Sequence, residues 1–140
     1  MAKIYSSSTK DVRIFCKNLK GEICDNPIYI NALKSYLDKH KPIKVIFEGE
    51  PENSECFKML KAASLSDTKF CQLYKLDKNY KDKARNLGIK LFHFLISDGQ
   101  RLRYEYNGDT YQATCNFDDK DSVAALNENF TSMLNFSTPL

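Results

Sequence analysis

The sequence predicts a single α/β domain. Its mixed sheet opens with a parallel β-α-β-α-β unit, continues as an antiparallel meander and is followed by a C-terminal helix. Segments with helical spacing alternate with short β-branched or aromatic runs, without an internal repeat. Two turn dipeptides, Asp98-Gly99 and Asn107-Gly108, then divide the second half into three strands. A chain of 140 residues suits one hydrophobic core, so we expect one domain over 1–136 and a frayed end at 137–140.

The first half contains three candidate strands and two helices. Residues 11–19 stay open between strand and helix, because Val12, Phe15 and Leu19 have helical spacing while Val12 to Cys16 is also a β-branched and aromatic run. The segments that follow have clearer boundaries. They are a helix capped by Asn26, with Pro27 at its first position and its end near His40, a strand over Ile43 to Phe47, a helix capped by Ser54, and a strand over Phe70 to Leu76.

The second half predicts the meander, with strands over Ile89 to Ser97, Arg101 to Tyr106 and Tyr111 to Phe117. A C-terminal helix opens at residues 119–122. The middle strand alternates between apolar and charged residues, so we expect an aromatic face turned inward and a charged face turned outward. The inward set is Leu102, Tyr104 and Tyr106, and the outward set is Arg101, Arg103 and Glu105.

Composition excludes several classes of protein. The longest apolar stretch, Leu91 to Ile96, is interrupted by His93 and is far shorter than the ~20 residues that span a bilayer. The first residues lack the apolar run of a secretory signal, so we expect a cytoplasmic protein without membrane contact. Five cysteines with irregular spacing and no C-x-x-C pair indicate reduced, mostly buried thiols.

The net charge of +3 is unevenly distributed. Residues 75–90 are rich in Lys and Arg, whereas the chain after Glu105 carries many acids and Lys120 as its one cation. The basic segment has three interpretations: a solvated loop, a surface that attracts a polyanion, or a contact with an oppositely charged segment of a neighbouring subunit.

No complete catalytic or metal-binding motif is present. The two histidines, His40 and His93, lie outside any nucleophile elbow, and there is neither a glycine-rich phosphate loop nor an H-E-x-x-H motif. A group of acids in the 48–55 segment offers oxygen ligands but lacks the spacing of a calcium loop, which favours a solvated connection. We therefore expect no metal and no cofactor.

Two pieces of the chain nevertheless resemble a known signature. They are Phe92-His93-Phe94-Leu95-Ile96-Ser97-Asp98-Gly99 and Ala113-Thr114-Cys115-Asn116-Phe117. Together they resemble the H-x-K-x-x-x-x-D and G-S-x-N motifs of the phospholipase D-like superfamily, and the order of elements is similar over most of the chain. The resemblance puts Leu91 at the position of the catalytic His and His93 at that of the Lys. It puts Asp98, Thr114 and Asn116 at the positions of the Asp, Ser and Asn.

The resemblance also implies what the chain lacks. In intact members an imidazole attacks the phosphodiester, and Leu91 cannot act as that nucleophile. We therefore expect no phosphodiesterase activity. The motif positions also have structural explanations: His93 as a hydrogen-bonded residue of a strand, Asp98 as the first residue of its turn, and Asn116 as a cap at the strand exit.

Two functional hypotheses follow. The preferred one is an inactive phospholipase D-like binding or regulatory module that acts through protein–protein association. Intact members pair two motif-bearing halves, so the resemblance implies a homodimer or a protein partner on an uncovered face around Leu91, His93 and Leu95. The alternative is a phosphodiester-handling protein, a nucleic-acid binder or divergent nuclease, with weak, salt-sensitive binding because the pI of about 8.5 is modest. Its candidate residues are His93, Arg101, Arg103, Lys78, Lys81, Lys83 and Arg85, with Tyr74 and Tyr80 available to stack on bases.

Overall fold

A computed structural model describes residues 2–19, 24–51, 54–88, 91–107 and 112–140. Within these ranges the chain forms one mixed sheet in the order β6-β5-β4-β1-β2-β3-β7, flanked by helices. β1, β2 and β3 are mutually parallel, and the remaining pairs are antiparallel. The helices are α1 (Ala2–Ser7), α2 (Pro27–Asp38), α3 (Glu55–Ser66), α4 (Lys78–Asn86) and α5 (Lys120–Leu134). The strands are β1 (Val12–Cys16), β2 (Ile43–Phe47), β3 (Cys71–Leu76), β4 (Phe94–Ser97), β5 (Arg101–Asn107), β6 (Gln112–Asn116) and β7 (Ser137–Pro139).

The predicted fold class is confirmed, and the open question at residues 11–19 is settled in favour of a strand. β1 lies between β2 and β4 in the sheet. Its side chains alternate between two buried faces, with Val12 and Ile14 in one core and Phe15 in the other. A central strand covered on both faces is rich in apolar residues, and four of the five residues of β1 are apolar, which is why its spacing also fits a helix.

All three predicted helix starts are confirmed, including that of the C-terminal helix, which begins at Lys120 after its cap Asp119. Asn26 Oδ1 accepts a hydrogen bond from the backbone N–H of Ile28 at 2.8 Å, and Pro27 is the first residue of α2. Ser54 Oγ accepts from the N–H of Phe57 at 3.2 Å. These caps satisfy backbone donors that have no partner inside the helix, so they fix where each helix begins.

The sheet separates two hydrophobic cores. Helices α1, α2 and α3 cover one face, where Tyr5, Leu33 and Leu60 pack on the parallel strands. Helix α5 covers the other face, where Phe130 and Met133 pack on β4 and neighbouring strands. The chain therefore has three layers, with the sheet in the middle, as is usual for parallel strands covered on both sides.

The first hairpin turn is also confirmed. Asp98 and Gly99 both adopt positive φ angles, 57° and 73°, and the N–H of Gln100 donates to the Ser97 carbonyl at 3.1 Å. Because Ser97 pairs with Arg101, the connection between β4 and β5 has three residues, one more than the predicted dipeptide. β4 begins only at Phe94, so the predicted strand over Ile89 to Ser97 was too long. At the second turn Asn107 is the last residue of β5, and Gly108 lies outside the described residues.

Three segments differ from the predictions. The basic segment was expected as a loop, but residues 78–86 form helix α4, because the Asp77 side chain caps its start by accepting from Asn79 N–H at 2.8 Å. The N-terminal residues form α1, which sequence analysis did not predict. The expected frayed end at 137–140 is wrong, since residues Ser137–Pro139 form β7 against the free edge of β3. None of the described helices has the length and apolar character needed to cross a membrane.

Candidate functional site

Charged side chains collect where the parallel strands end. Because β4 runs antiparallel to β1, its amino end lies beside the carboxyl ends of β1 and β2. His93, just before β4, thereby meets Glu48, just after β2, and the His93 Nε2 to Glu48 Oε1 distance is 3.3 Å. Glu105 Oε1 lies 3.9 Å from His93 Nδ1, and the Phe15 ring meets the imidazole edge-on at 5.3 Å. The imidazole is therefore held between two carboxylates over an apolar floor.

The electrostatics of this strand-end cluster favour an ionised Glu48. Burial raises the pKa of the Glu48 carboxyl, but the hydrogen bond from His93 and the nearby charges of His93, Lys81 and Lys17 outweigh it, so its pKa lies below the ordinary value. Lys81 Nζ also donates to the Glu48 carbonyl oxygen at 3.3 Å. Helix α4 is thus tied to the strand ends through Lys81.

The charged face of the middle strand is not turned out to solvent as predicted. The side chains of Arg103 and Glu105 are only 11% and 14% exposed, and they pair at 3.1 Å. The Arg101 side chain is 18% exposed and its guanidinium lies 2.7 Å from Asp98 Oδ2. The proposed phosphate-binding roles of Arg101 and Arg103 are not supported, because each guanidinium already binds a carboxylate.

Asp98 holds the hairpin to the N-terminal segment. Its carboxylate accepts backbone hydrogen bonds from Thr9, Lys10 and Asp11 at 2.9 to 3.1 Å, besides the ion pair with Arg101. Burial raises the pKa of Asp98, but these backbone donors and the Arg101 charge lower it further than burial raises it. At this motif position the structure therefore gives Asp98 a role in the fold.

The other motif positions do not join His93. Thr114 and Asn116 are exposed on β6, opposite Tyr104 and Leu102 of β5, so a whole strand separates them from β4. Asn116 Oδ1 accepts from the backbone N–H of Asp118 at 2.9 Å, as expected for a cap at the strand exit. The four candidate positions lie at three different places in the sheet, and sequence similarity alone brought them together.

Helix α4 presents the basic residues that the sequence singled out. Lys78, Lys83 and Arg85 are exposed, and Lys81 is half-buried. Residues three or four apart share one side of a helix, which puts Lys81 beside both Lys78 and Arg85. Within the described residues Lys78, Lys83 and Arg85 form no ion pair, and Asp82 is the one acid inside the helix. Lys83 lies about 140° around the helix axis from Lys78, so the exposed cations spread over the solvent side of α4. We call these four cations the basic face.

A pocket of about 240 Å³ opens beside the basic face, on the α5 side of the sheet. Phe15 and Phe94 are buried and lie at its base, and Leu91 contributes to the wall. Tyr80 of α4 also lines the pocket, and of the four cations Lys83, three residues further along the helix, lies beside it. The sequence does not indicate this pocket, because its lining comes from five separate segments of the chain. We call it the aromatic pocket after Phe15, Tyr80, Phe92, Phe94 and Tyr104; Asn129 of α5 is its polar member.

The uncovered apolar face expected around His93 is not present. Leu95 is 2% exposed and packs in the core beneath the N-terminal helices. Leu91 is half-buried against the other core. The large apolar side chains that are exposed lie elsewhere: Ile28 on α2, Leu65 on α3, and Leu87, Phe117, Phe136 and Leu140 outside the helices and strands. The fold itself covers the surface on which the association hypothesis depended.

The thiols are poor nucleophiles near neutral pH. Burial raises the pKa of Cys56 and Cys71 to about 12 and that of Cys24 to about 11. Cys115 differs, since it is exposed on β6. Among the described residues no group of three His, Cys, Asp or Glu side chains is arranged to hold a metal ion.

Comparisons with solved structures identify the fold. No protein-family model and no curated protein sequence matches the chain significantly. The crystal structure of Nuc from Salmonella typhimurium, a phospholipase D family member, is similar with a TM-score of 0.67 at 11% identity, over 99% of this chain and 87% of Nuc. TrmBL2, an archaeal chromatin protein whose structure shows a novel mode of DNA binding, is similar with a TM-score of 0.60 at 12% identity. That likeness covers 99% of this chain and 48% of TrmBL2, so the chain spans about half of that protein. The chain therefore has a phospholipase D-like fold.

Proposed function

We propose that this chain is a nucleic-acid-binding module that contacts the phosphodiester backbone through the basic face and does not hydrolyse it by an imidazole mechanism. One observation carries the proposal: Lys78, Lys83 and Arg85 are exposed and form no ion pair within the described residues, whereas Arg101 and Arg103 are paired and largely buried. When unpaired cations on one short helix neutralise phosphates, the counterions condensed on the nucleic acid are released, and this release favours binding at low salt.

One of the two similar structures supports this proposal. A likeness to a DNA-binding chromatin protein is associational support, since one fold hosts many functions. The protein-association hypothesis depended on an open patch at Leu95, and that side chain is buried. The second hypothesis from the sequence is nucleic-acid binding. It agrees with the structure because the cations Lys78, Lys83 and Arg85 of α4 are exposed.

The proposal of no hydrolysis depends on Leu91 and His93. Leu91, at the nucleophile position that the resemblance assigns, is an apolar side chain in the wall of the aromatic pocket. His93 lies 3.3 Å from Glu48 and 3.9 Å from Glu105. Carboxylates on both sides of the imidazole repel an approaching phosphate, because like charges are unfavourable in a partly buried site.

Salt-dependent binding tests the proposal. A fluorescein-labelled single-stranded oligonucleotide is titrated with protein, and anisotropy is measured between about 50 and 200 mM salt. Three phosphate contacts on a single strand account for a fall in affinity of about 20-fold over that range. The variant Lys78→Gln/Lys83→Gln/Arg85→Gln should lose that part of the salt dependence.

A matched variant controls for net charge. Lys34→Gln/Lys39→Gln/Lys69→Gln removes the same charge from exposed positions away from α4 and should bind as the wild type does. Equal loss in both variants, or no binding at low salt, would contradict the proposal. Incubation of the labelled strand with wild type and His93→Ala should leave it intact in both cases, and cleavage that depends on His93 would overturn the claim of no hydrolysis.

A further inference from the structure

The aromatic pocket is built to hold a flat apolar group. Phe15 and Phe94, which are 1% and 5% exposed, form a fixed floor. Phe92 and Tyr104 are half-buried at the rim, and their ring centroids lie 5.3 Å apart. Such rings offer large, rigid surfaces at low conformational cost, so a planar group can be stacked without reorganising the core.

The rim also carries polar groups that the fold does not use. Neither the Tyr80 hydroxyl, the Tyr104 hydroxyl nor the Asn129 amide makes a hydrogen bond within the part of the chain that the structure describes. Other tyrosines bond internally, as Tyr5 does to Tyr29 at 2.7 Å. Two hydroxyls and an amide at the edge of an apolar pocket are the donors and acceptors that orient a heteroaromatic ligand.

The volume limits what can enter. Pockets that enclose drug-sized ligands run from roughly 300 to 1,000 Å³, so about 240 Å³ suits one ring system. A complete nucleotide cofactor does not fit. The remainder of a larger ligand must therefore lie outside the pocket, on the surface that adjoins it.

That adjoining surface is basic. Tyr80 belongs to α4, and Lys83 lies one turn further along the same helix, three residues away and therefore beside it. A phosphate held by Lys83 would therefore place its attached base near the rim at Tyr80, and the strand would continue towards Lys78 and Arg85 on the exposed side of α4. An apolar side chain of a partner protein would fill the pocket equally well, but it would leave the neighbouring cations without a counterpart.

We infer that the aromatic pocket binds one unstacked nucleobase of a single-stranded nucleic acid while the adjacent basic face holds its phosphates. This inference rests on the proposed function and adds the class of ligand: single strands carrying bases, in preference to duplex. In a duplex the base must first leave its stack, which costs free energy that a single strand does not pay. Phe92 and Tyr104 provide the stacking surface, and Asn129 meets the edge of the base.

Two probes of equal charge separate this inference from the proposed function. The first is a labelled deoxythymidine oligonucleotide, and the second is an abasic oligomer with the same number of phosphates. Base stacking on aromatic side chains changes affinity by roughly 5- to 150-fold, so the wild type should bind the first probe more tightly by a factor in that range. Phe92→Leu and Tyr104→Leu keep apolar bulk but remove the ring, and each should bring the two probes closer together. Phe57→Leu, an aromatic change against Phe47 on the far core, should leave the difference unchanged.

Each outcome decides one claim. Binding of both probes with equal affinity would contradict base binding in the aromatic pocket, but it would agree with phosphate binding by the basic face. Binding of neither probe would overturn the proposed function itself. Thermal unfolding measurements on every variant show whether a loss of affinity is caused by unfolding. Independently of any variant, titration of the wild type with thymidine monophosphate should shift ring-proton NMR signals of Phe92 and Tyr104, and unshifted signals at saturating nucleotide would overturn the inference.

Discussion

The β4–β5 hairpin and helix α4 carry the same kinds of charge and use them in opposite ways. In the hairpin, Arg101 and Arg103 are at most 18% exposed and each binds a carboxylate. In α4, Lys78 and Lys83 are exposed and unpaired within the described residues. Charge therefore holds the fold together in the first region and is available to a ligand in the second. Residue type did not distinguish the two regions, because burial and the nearest acid decide which role a cation takes.

The largest effect expected in the hairpin region comes from its apolar side. Leu95→Asp places an unpaired charge in the core, beneath the N-terminal helices. Losing the packing alone costs about 2 to 5 kcal/mol, and the buried carboxylate adds to it. We expect the variant to unfold, as measured by circular dichroism and sedimentation. Lys78→Asp, which also introduces an aspartate but at an exposed position in the first turn of α4, should stay folded because an acid is favourable there. A folded Leu95→Asp monomer would contradict the core position.

A smaller effect is expected when the hydrogen bonds between Asp98 and the N-terminal segment are weakened. In the carboxylate, Oδ2 accepts from Thr9 and pairs with Arg101, whereas Oδ1 accepts from Lys10. Asp98→Asn removes the charge and keeps only one of these two acceptor oxygens. Hydrogen bonds to charged groups contribute about 1.5 to 3 kcal/mol each, so the free energy of unfolding should fall by about 2 kcal/mol in urea titration. Binding to the labelled oligonucleotide should not change. A loss of affinity without a loss of stability would instead make Asp98 part of the ligand site.

The lowered pKa of Asp98 predicts how the free energy of unfolding depends on pH. The folded pKa of Asp98 lies below its ordinary value of 3.8, so its charge stabilises the fold fully above that value. The contribution is lost as the pH falls through the lower, folded pKa, because the unfolded chain then binds protons more readily than the folded one. The stability difference between wild type and Asp98→Asn should thus be constant at neutral pH and shrink below pH 3.8. A gap that persists in acid would contradict the role of the charge.

The smallest effect concerns α4 and completes the comparison. Lys78→Gln should change the free energy of unfolding by no more than about 0.5 kcal/mol, as is usual for an exposed side chain without a partner. It should nevertheless lower the slope of log affinity against log salt by about 0.7, the amount expected for one lost phosphate contact on a single strand. An unchanged slope together with unchanged affinity would remove Lys78 from the binding surface.

Local signals in the sequence were sufficient where a short segment determines its own structure. The caps Asn26 and Ser54 and the turn at Asp98-Gly99 were identified from two or three residues each, because capping and positive φ angles are local requirements. The strand over Ile43 to Phe47 was found with its observed bounds. The fold class follows from the order of such segments.

Features that depend on contact between distant segments were not predicted from the sequence, or were predicted wrongly. The strand identity of residues 12–16 depends on burial between β2 and β4, and β7 exists because β3 offers a free edge. His93 was singled out alone, although Glu48 and Glu105 define its surroundings.

By itself, the sequence determined the fold class, the starts of α2 and α3 and the turn at Asp98-Gly99. The tertiary structure alone decided which cations are paired, where Leu95 is buried, and that Phe15, Tyr80, Phe92 and Tyr104 line one pocket. The physical reason is the separation in sequence over which each kind of interaction acts. Backbone preferences act over a few residues, whereas charge pairing and pocket formation depend on distances between residues that the sheet brings together from far apart in the chain.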